Sequence, residues 1–228
     1  MKDIGKLFVI EGPDGSGKTT LVNGLKEYYK DNKDFAFTRE PSLDTYLGGV
    51  AKKWVTMQNS LANQELATET FMLMSAARLQ HLREFILPKL KDGINVITDR
   101  FILSSAVYQG LDEKWKYIHA LMPHVFDHLT HYINVSSTFL LLPSAETIMK
   151  RLSGRTEEND GFNDNQSKQF YEQLVARYRY SVIRDMDSKY SLSRVPVALL
   201  GNVHVYHGDI PAVNLLDAVK NGLDKELK

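Results

Sequence analysis

The feature that most constrains the fold is a glycine-rich segment joining a short apolar run to a helical pattern. Residues 12–19 match G-x-x-x-x-G-K-[ST] at every fixed position. The apolar run 7–10 predicts a buried strand before the segment, and the spacing from 17 to about 30 predicts a helix after it. Glycines let the backbone aim N–H groups inward, and the helix N-terminus adds positive charge. A chance glycine-rich turn is disfavoured, and a cradle for triphosphate is predicted.

Two side chains of this loop have distinct expected roles. Lys18 is expected to reach the β- and γ-phosphates, and the Thr19 hydroxyl is expected to hold Mg²⁺. The residues predicted to bind ATP are Gly12, Asp14, Gly15, Ser16, Gly17, Lys18, Thr19 and Thr20. The loop alone leaves open which molecule receives the phosphoryl group.

The rest of the chain alternates short apolar runs with helical patterns. Strands are predicted at 35–38, 94–98, 138–142 and 203–206, and helices at 64–91, 113–128, 144–153, 164–187 and 211–226. Pro88 is expected to kink the helix 64–91. The alternation predicts an α/β fold with a parallel sheet covered by helices on both faces. Ligands of such folds bind at the carboxyl ends of the strands.

Composition favours one large globular domain. Hydrophobic residues make up 43% and charged residues 25%, so a disordered chain is excluded. Lys+Arg and Asp+Glu both number 28, so no overall field favours a long nucleic acid or a membrane surface. The absence of cysteine excludes disulfides, thiolate nucleophiles and zinc–thiolate sites. Since no apolar run of roughly 18 residues and no signal-peptide pattern occurs, we expect a soluble, cytoplasmic protein.

Five motifs occur in order between residues 7 and 178. They are the segment Phe8–Thr20, the tetrapeptide Thr38-Arg39-Glu40-Pro41, the helical segment Ala76–His81, the stretch Asp99–Gly110, and Phe170-Tyr171 with Arg177-Tyr178. Together they resemble thymidylate (dTMP) kinases, whose patterns include T-R-E-P, A-x-R-x-x-H and D-R-[YH]-x-x-S-[ST]-x-A-Y-Q-G. The resemblance implies a single domain over 1–228 with the P-loop nucleoside monophosphate kinase fold. That fold has a five-stranded parallel sheet and a LID, here at about 153–166.

The resemblance also implies transfer of the ATP γ-phosphoryl group to dTMP, giving dTDP. It places Arg100 at the acceptor phosphate or the transferred group, and Asp99 at Mg²⁺ through water. A structural ion pair is the alternative for Asp99 and Arg100. It places Asp14 at the deoxyribose 3′-hydroxyl, where the alternative is a turn-favouring aspartate.

Further acceptor-binding residues follow from the same resemblance: Arg39, Glu40, Met74, Arg78, Ser105, Tyr108 and Gln109. Arg78 is expected near the base and phosphate of the acceptor, with a solvent-facing helix charge as the alternative. Ser105 and Gln109 are expected to read the thymine edge, since a hydroxyl and a carboxamide can satisfy its donor and acceptor. Ordinary helix capping, which Ser104 could supply, is the alternative for that segment.

Two arginines precede or begin the LID. Arg151 and Arg155 are four residues apart and are predicted to face the same side. The P-loop has no arginine among its variable residues, and family members of that kind place the catalytic arginine in the LID. The resemblance therefore implies Arg155, and second Arg151, as the catalytic arginine. The alternative is two solvated charges of little energetic weight.

Departures from the family pattern concern the acceptor. Ser42-Leu43 replaces the glycine pair that follows R-E-P, and Lys52 matches a family arginine if one residue is inserted. Met74 stands where the family commonly has a phenylalanine stacked on thymine, and methionine is more adaptable. These departures leave the prediction of phosphoryl transfer intact. A kinase for dUMP or a modified deoxynucleoside monophosphate is therefore an alternative.

Other functions fit the sequence less well. A non-catalytic nucleotide-binding protein is an alternative that intact Lys18, Thr19 and Arg100 argue against. A deoxynucleoside kinase is disfavoured, because several arginines suit an acceptor that already carries phosphate. No N-K-x-D tetrapeptide supports a GTPase. His124 and His128 have a metal-compatible spacing, but exposed or capping roles are preferred. The resemblance implies a homodimer.

Overall fold

The computed structural model describes residues 3–58, 66–109, 116–154, 167–182 and 195–227. Its strands are β1 (Leu7–Glu11), β2 (Phe35–Arg39), β3 (Asn95–Asp99), β4 (Ser137–Leu141) and β5 (Asn202–Tyr206). Within these residues they form one sheet of five strands in the order β2-β3-β1-β4-β5, with every pairing parallel. The predicted five-stranded parallel sheet is confirmed.

Helices cover both faces of the sheet. They are α1 (Lys18–Tyr28), α2 (Tyr46–Gln58), α3 (Ala67–His81), α4 (Leu87–Lys91), α5 (Ile102–Gln109), α6 (Lys116–Thr130), α7 (Ala145–Ser153), α8 (Lys168–Val182) and α9 (Ala212–Glu226). A 3₁₀ turn covers Val197–Leu199. In the described parts of the chain, none of the helices combines the length and the apolar character needed to cross a bilayer.

Alternate residues of the strands supply two apolar cores, because successive side chains of a strand point to opposite faces. Phe8, Ile10 and Phe139 pack with apolar residues of α1 and α9 on one face. Val9 and Leu140 pack with residues of α3, α5, α6 and α8 on the other. Burial on both faces explains why these strands read as continuous apolar runs.

The helical stretch predicted at 64–91 is distorted in the turn that precedes Pro88. A π-helical segment, Leu82–Ile86, joins α3 to α4, and its closing bond runs from the Leu87 N–H to the Leu82 carbonyl. Pro88 sits in the first turn of α4 and has no N–H to offer to the carbonyl four residues earlier. The helix is thus distorted in the turn ahead of the proline, which is where a proline disturbs the hydrogen bonding of a helix, and the predicted kink stays a prediction.

Helix α2 is not among the helices predicted from the sequence pattern. Gly48 and Gly49 lie within it, and glycine has low helix propensity. Tertiary packing requires one of them, because a Cβ at Gly48 would meet the Ser42 carbonyl oxygen at 1.9 Å. The helix is tied to α3, where Trp54 Nε1 donates a 3.0 Å hydrogen bond to Thr70 Oγ1. These contacts set one wall of the site.

Candidate functional site

A cleft of about 220 Å³ opens at the carboxyl ends of β1, β2 and β3. Most residues predicted to bind ATP, acceptor or metal line it: Asp14, Gly15, Gly17, Lys18, Thr19, Thr20, Arg39, Glu40, Met74, Arg78, Asp99, Arg100, Ser105, Tyr108 and Gln109. Lys52 of α2 also lines the cleft. Gly12 and Ser16 lie in the loop beneath. The sheet thus gathers side chains that are far apart in sequence.

The glycine-rich loop closes on the amine of Lys18. Lys18 Nζ donates hydrogen bonds to the carbonyl oxygens of Gly12, at 2.9 Å, and Pro13, at 2.8 Å. Gly12 adopts φ 145°, and a Cβ there would lie 2.4 Å from the Leu141 carbonyl oxygen, so only glycine fits. Burial lowers the pKa of the Lys18 amine to about 8, and the nearby positive charge of Arg100 adds to this effect.

The lowered pKa of Lys18 predicts a pH dependence of stability that the Lys18→Met variant lacks. Between about 8 and 10.5 the unfolded chain binds the lysine proton more tightly than the folded protein. Hence the free energy of unfolding of the wild type rises with pH across this window. Relative to the variant, we expect a gain on the order of 3 kcal/mol. Chemical denaturation of both proteins from pH 7.5 to 10.5 measures it. Parallel pH profiles would contradict the lowered pKa.

Arg100 follows β3 and reaches back over the glycine-rich loop. Its backbone is left-handed, with φ 71°, a conformation that few residues other than glycine adopt. Nη2 donates to Asp14 Oδ1 at 2.5 Å, and Nη1 donates to Ser104 Oγ at 2.8 Å and to the Gly12 carbonyl at 3.2 Å. Burial acts to lower the pKa of Arg100, but the nearby Asp14, Tyr108, Tyr178 and Asp99 together outweigh it, so the pKa is raised well above its usual value.

The ion pair of Arg100 differs from the alternative considered from sequence. That alternative paired Arg100 with Asp99, whereas its carboxylate partner in the structure is Asp14. The guanidinium also lies 5.4 Å from the ring centroid of Tyr108. Tyr108, predicted to bind the acceptor, therefore contacts the guanidinium of Arg100. This arrangement fixes a positive charge at the mouth of the cradle.

A buried carboxylate that was not among the predicted site residues supports Arg100. Glu11 Oε1 accepts hydrogen bonds from the N–H groups of Phe101 and Ser104, and Oε2 accepts from Ser104 Oγ at 2.8 Å. Burial raises the pKa of Glu11, and Arg100 and these donors oppose that effect. The suggested cap by Ser104 at the start of α5 is therefore wrong, since Glu11 accepts these bonds. Glu11 lies at the end of the first apolar run, and this position was the sequence signal that could have identified it as a site residue.

Arg78 forms the second fixed positive charge of the cleft. Its side chain is only 1% exposed, which excludes the alternative of a solvent-facing helix charge. Nε donates to Glu40 Oε2 at 2.6 Å, and Nη2 donates to the Phe101 carbonyl at 3.1 Å and to Ser105 Oγ at 3.2 Å. Ser105, expected at the base, thus holds the guanidinium of Arg78.

Some buried polar atoms of the cleft have no hydrogen-bond partner among the described residues. Among them are Arg78 Nη1, Gln109 Oε1 and Asp99 Oδ1. Leaving such an atom unpaired costs roughly 1–3 kcal/mol, and more for a charged group. The cleft therefore offers a donor, an amide acceptor and a carboxylate oxygen to a ligand that can satisfy them.

The other predicted catalytic arginine in the described part of the chain lies outside this cleft. Arg151 Nη1 donates to the Ser16 carbonyl at 3.2 Å, and Nη2 donates to the Gly208 carbonyl at 2.7 Å. Arg151 lines a second cavity, of about 240 Å³, between the glycine-rich loop and the start of α9. Arg155 and most of the predicted LID lie outside the described residues. The expected shared orientation of the two arginines stays a prediction.

Within the residues described, no cluster of three or more His, Cys, Asp and Glu side chains is arranged to hold a metal. His128 instead packs edge-on against Tyr132, with ring centroids 5.1 Å apart. A metal in the cleft would therefore draw on few protein ligands. Phosphate and water oxygens would have to supply the others, as is usual for Mg²⁺.

Comparison with known proteins agrees with the geometry. The family model "Thymidylate kinase" matches residues 10–190. A thymidylate kinase of Rickettsia typhi is 35% identical over 185 residues, covering 77% of this chain and 82% of its own length. One from Bacillus cereus is 33% identical over 190 residues, covering 78% and 87%. One from Ligilactobacillus salivarius is 30% identical over 176 residues, covering 76% and 82%.

Proposed function

The chain belongs to the thymidylate kinase family, and from that premise we propose that it transfers the ATP γ-phosphoryl group to dTMP, giving dTDP and ADP. One observation carries the proposal. A single cleft joins a phosphate cradle with Lys18 and Arg100 to a pocket where Arg78 Nη1 and Gln109 Oε1 are buried and have no hydrogen-bond partner among the described residues. The first end suits phosphates and the second suits a polar base edge.

The chemistry of transfer needs alignment and charge neutralisation rather than covalent catalysis. The acceptor phosphate is largely ionised near pH 7, because its second pKa is about 6, so no general base is required. Arg100 holds its charge between the glycine-rich loop and the acceptor side, where negative charge develops during transfer. Lys18 carries its positive charge below about pH 8 and contacts the γ-phosphate as the loop binds ATP.

The base end of the cleft favours a thymine or uracil ring over cytosine. Arg78 Nη1 can donate to the O4 carbonyl, and Gln109 Oε1 can accept from the N3–H. Cytosine carries an amino donor at position 4 and an acceptor at N3. The arginine donor would then face another donor, and the glutamine oxygen would face another acceptor. Met74 lines the same pocket and is the surface for the 5-substituent. A modified 5-substituted deoxyuridine monophosphate stays the alternative acceptor.

We infer that the divalent metal of the reaction is Mg²⁺ bound with ATP. Asp99 Oδ1 is buried and has no hydrogen-bond partner in the described part of the chain, and Thr19 lines the same cleft. Oxygen donors of this kind suit Mg²⁺, which usually keeps several waters. Thr19 and Asp99 would hold it, the latter directly or through water. When bound, the ion neutralises charge on the phosphates.

The function is tested by ADP release from Mg·ATP with dTMP, dUMP, 5-hydroxymethyl-dUMP, dCMP, dGMP and dAMP supplied separately. We expect the highest kcat/KM with dTMP and little turnover of dCMP. A preference for the hydroxymethyl compound would support the modified acceptor, with Met74 as the residue to change next. No ADP with any monophosphate would contradict phosphoryl transfer and favour a binding protein.

A homodimer is the assembly that we infer for this enzyme. The packed pair α2–α3 exposes large apolar side chains, with Tyr46 79% exposed, Met57 80% and Met72 57%. Large apolar side chains exposed on one pair of packed helices are typical of a surface that another protein covers. We expect the wild type to sediment as a dimer and the Met57→Glu/Met72→Glu variant as a monomer. Changing exposed Val213 of α9 to glutamate is the matched control and should leave the dimer intact. A monomeric wild type would contradict the inference.

A further inference from the structure

His81, the last residue of α3, is a buried side chain that the proposed chemistry does not use. It is 1% exposed and lies between two groups of the β2 segment. Nε2 lies 2.8 Å from Thr38 Oγ1, and Nδ1 lies 3.5 Å from Glu40 Oε1. The first contact is a good hydrogen bond and the second is at the long limit for one. His81 thus connects the end of β2 to the carboxylate that binds Arg78.

The two oxygens of Glu40 have different partners. Oε2 accepts from Arg78 Nε at 2.6 Å, and Oε1 faces His81 Nδ1. A carboxylate needs a donor at each oxygen when it is buried, and Glu40 is 3% exposed. A carboxylate oxygen only accepts, so the hydrogen between Nδ1 and Oε1 is carried by Nδ1. In that tautomer Nε2 accepts the hydroxyl hydrogen of Thr38, so the threonine complements the form of the ring that serves Glu40.

We propose that His81 is a positioning residue for acceptor recognition, acting through Glu40 on the guanidinium of Arg78; the proposal rests on the proposed function of that site. While His81 occupies Oε1, Glu40 binds Arg78 through one N–H only. Nη2 stays with Ser105 and the Phe101 carbonyl, and Nη1, which has no partner among the described residues, stays available to the base of the acceptor.

Loss of His81 would change how Glu40 pairs with Arg78, from one hydrogen bond to two. An unsatisfied Oε1 would draw Nη2 of the same guanidinium into a bidentate pair, which is the stronger geometry. The contacts of Nη2 to Ser105 and Phe101 would break, and the guanidinium plane would turn. Nη1 would leave the base edge. Acceptor binding would weaken, while the phosphate cradle around Lys18 would be unchanged.

The test compares His81→Leu with His81→Asn, whose amide N–H replaces the Nδ1 donor. For His81→Leu we expect the KM and the dissociation constant for dTMP to rise about tenfold, as for a lost hydrogen bond to a charged group. The kcat and the KM for ATP should stay within about twofold, well below the tenfold that 1.4 kcal/mol would give. His81→Asn should restore most of the dTMP affinity. Thr38→Val, which frees the tautomer, should give an intermediate dTMP constant.

His204→Leu is the matched control. His204 of strand β5 has its Nε2 3.2 Å from Oε1 of Glu226 on α9. The variant therefore removes a histidine–glutamate pair that lies away from the cleft. It should leave both substrate constants unchanged. Equal effects of His81→Leu on ATP and dTMP, or an effect on melting temperature alone, would overturn the proposal. A wild type that neither binds nor phosphorylates dTMP would instead overturn the proposed function.

Discussion

The Arg100→Ala variant is expected to lose phosphoryl transfer by about a thousandfold in kcat, the scale of a charge-stabilising arginine in related reactions. Its guanidinium contacts Asp14, Ser104 and the Gly12 carbonyl, so it stands at the junction of donor and acceptor ends of the cleft. Steady-state ADP release at saturating Mg·ATP and dTMP measures the loss. Because the charge is needed mainly as the phosphoryl group moves, kcat should fall more than KM rises.

Arg100→Lys separates charge from geometry. Lysine keeps the positive charge but lacks the planar fork, so it cannot serve Asp14 and Ser104 together. We expect activity between that of the wild type and that of Arg100→Ala. Arg83→Ala removes an exposed arginine of the π-helical segment and should be neutral. An Arg100→Ala enzyme within tenfold of the wild type in kcat would contradict the role proposed for Arg100.

Much of the fold was predictable because local signals agree with the tertiary structure. The strand predicted at 138–142 is found at Ser137–Leu141, and the helix predicted at 211–226 is found at Ala212–Glu226. Burial on both faces makes such strands apolar throughout, which is a strong signal. Helix α2 could not be predicted in this way. Its glycines oppose helix formation locally, and its stability comes from packing on α3.

The sequence motifs indicated which residues lie in the site, but they did not indicate which of those residues pair with each other. Sequence motifs indicate that Arg78 and Arg100 belong together, but they carry no information about partners 38 or 86 positions away. Arg100 pairs with Asp14 because the loop after β1 passes in front of the end of β3, a consequence of sheet order. The role of Glu11 under α5 likewise depends on which strands are neighbours. Motifs therefore predicted the chemistry, and topology set the network that holds it.

Arg155 is the residue for which we expect the second large effect. It was predicted as the catalytic arginine from its place in the LID and lies outside the described residues. Arg151, the second choice, donates to the carbonyl oxygens of Ser16 and Gly208 on the outer side of the glycine-rich loop. A guanidinium held there suits the nucleoside side of ATP rather than the transferred phosphoryl group. Catalysis by Arg155 stays a prediction, and the contacts of Arg151 give that arginine a different expected effect.

Arg155→Ala should therefore lower kcat by about a thousandfold with little change in the KM for dTMP. Arg151→Ala should mainly raise the KM for ATP, because its contacts shape the second cavity beside the loop. Single-turnover measurements with saturating ATP distinguish a slower chemical step from weaker binding. If Arg151→Ala shows the larger fall in the single-turnover rate, the two roles are reversed. In that case Arg151 must leave the Gly208 carbonyl during the reaction, and removing that contact would be part of closing the site.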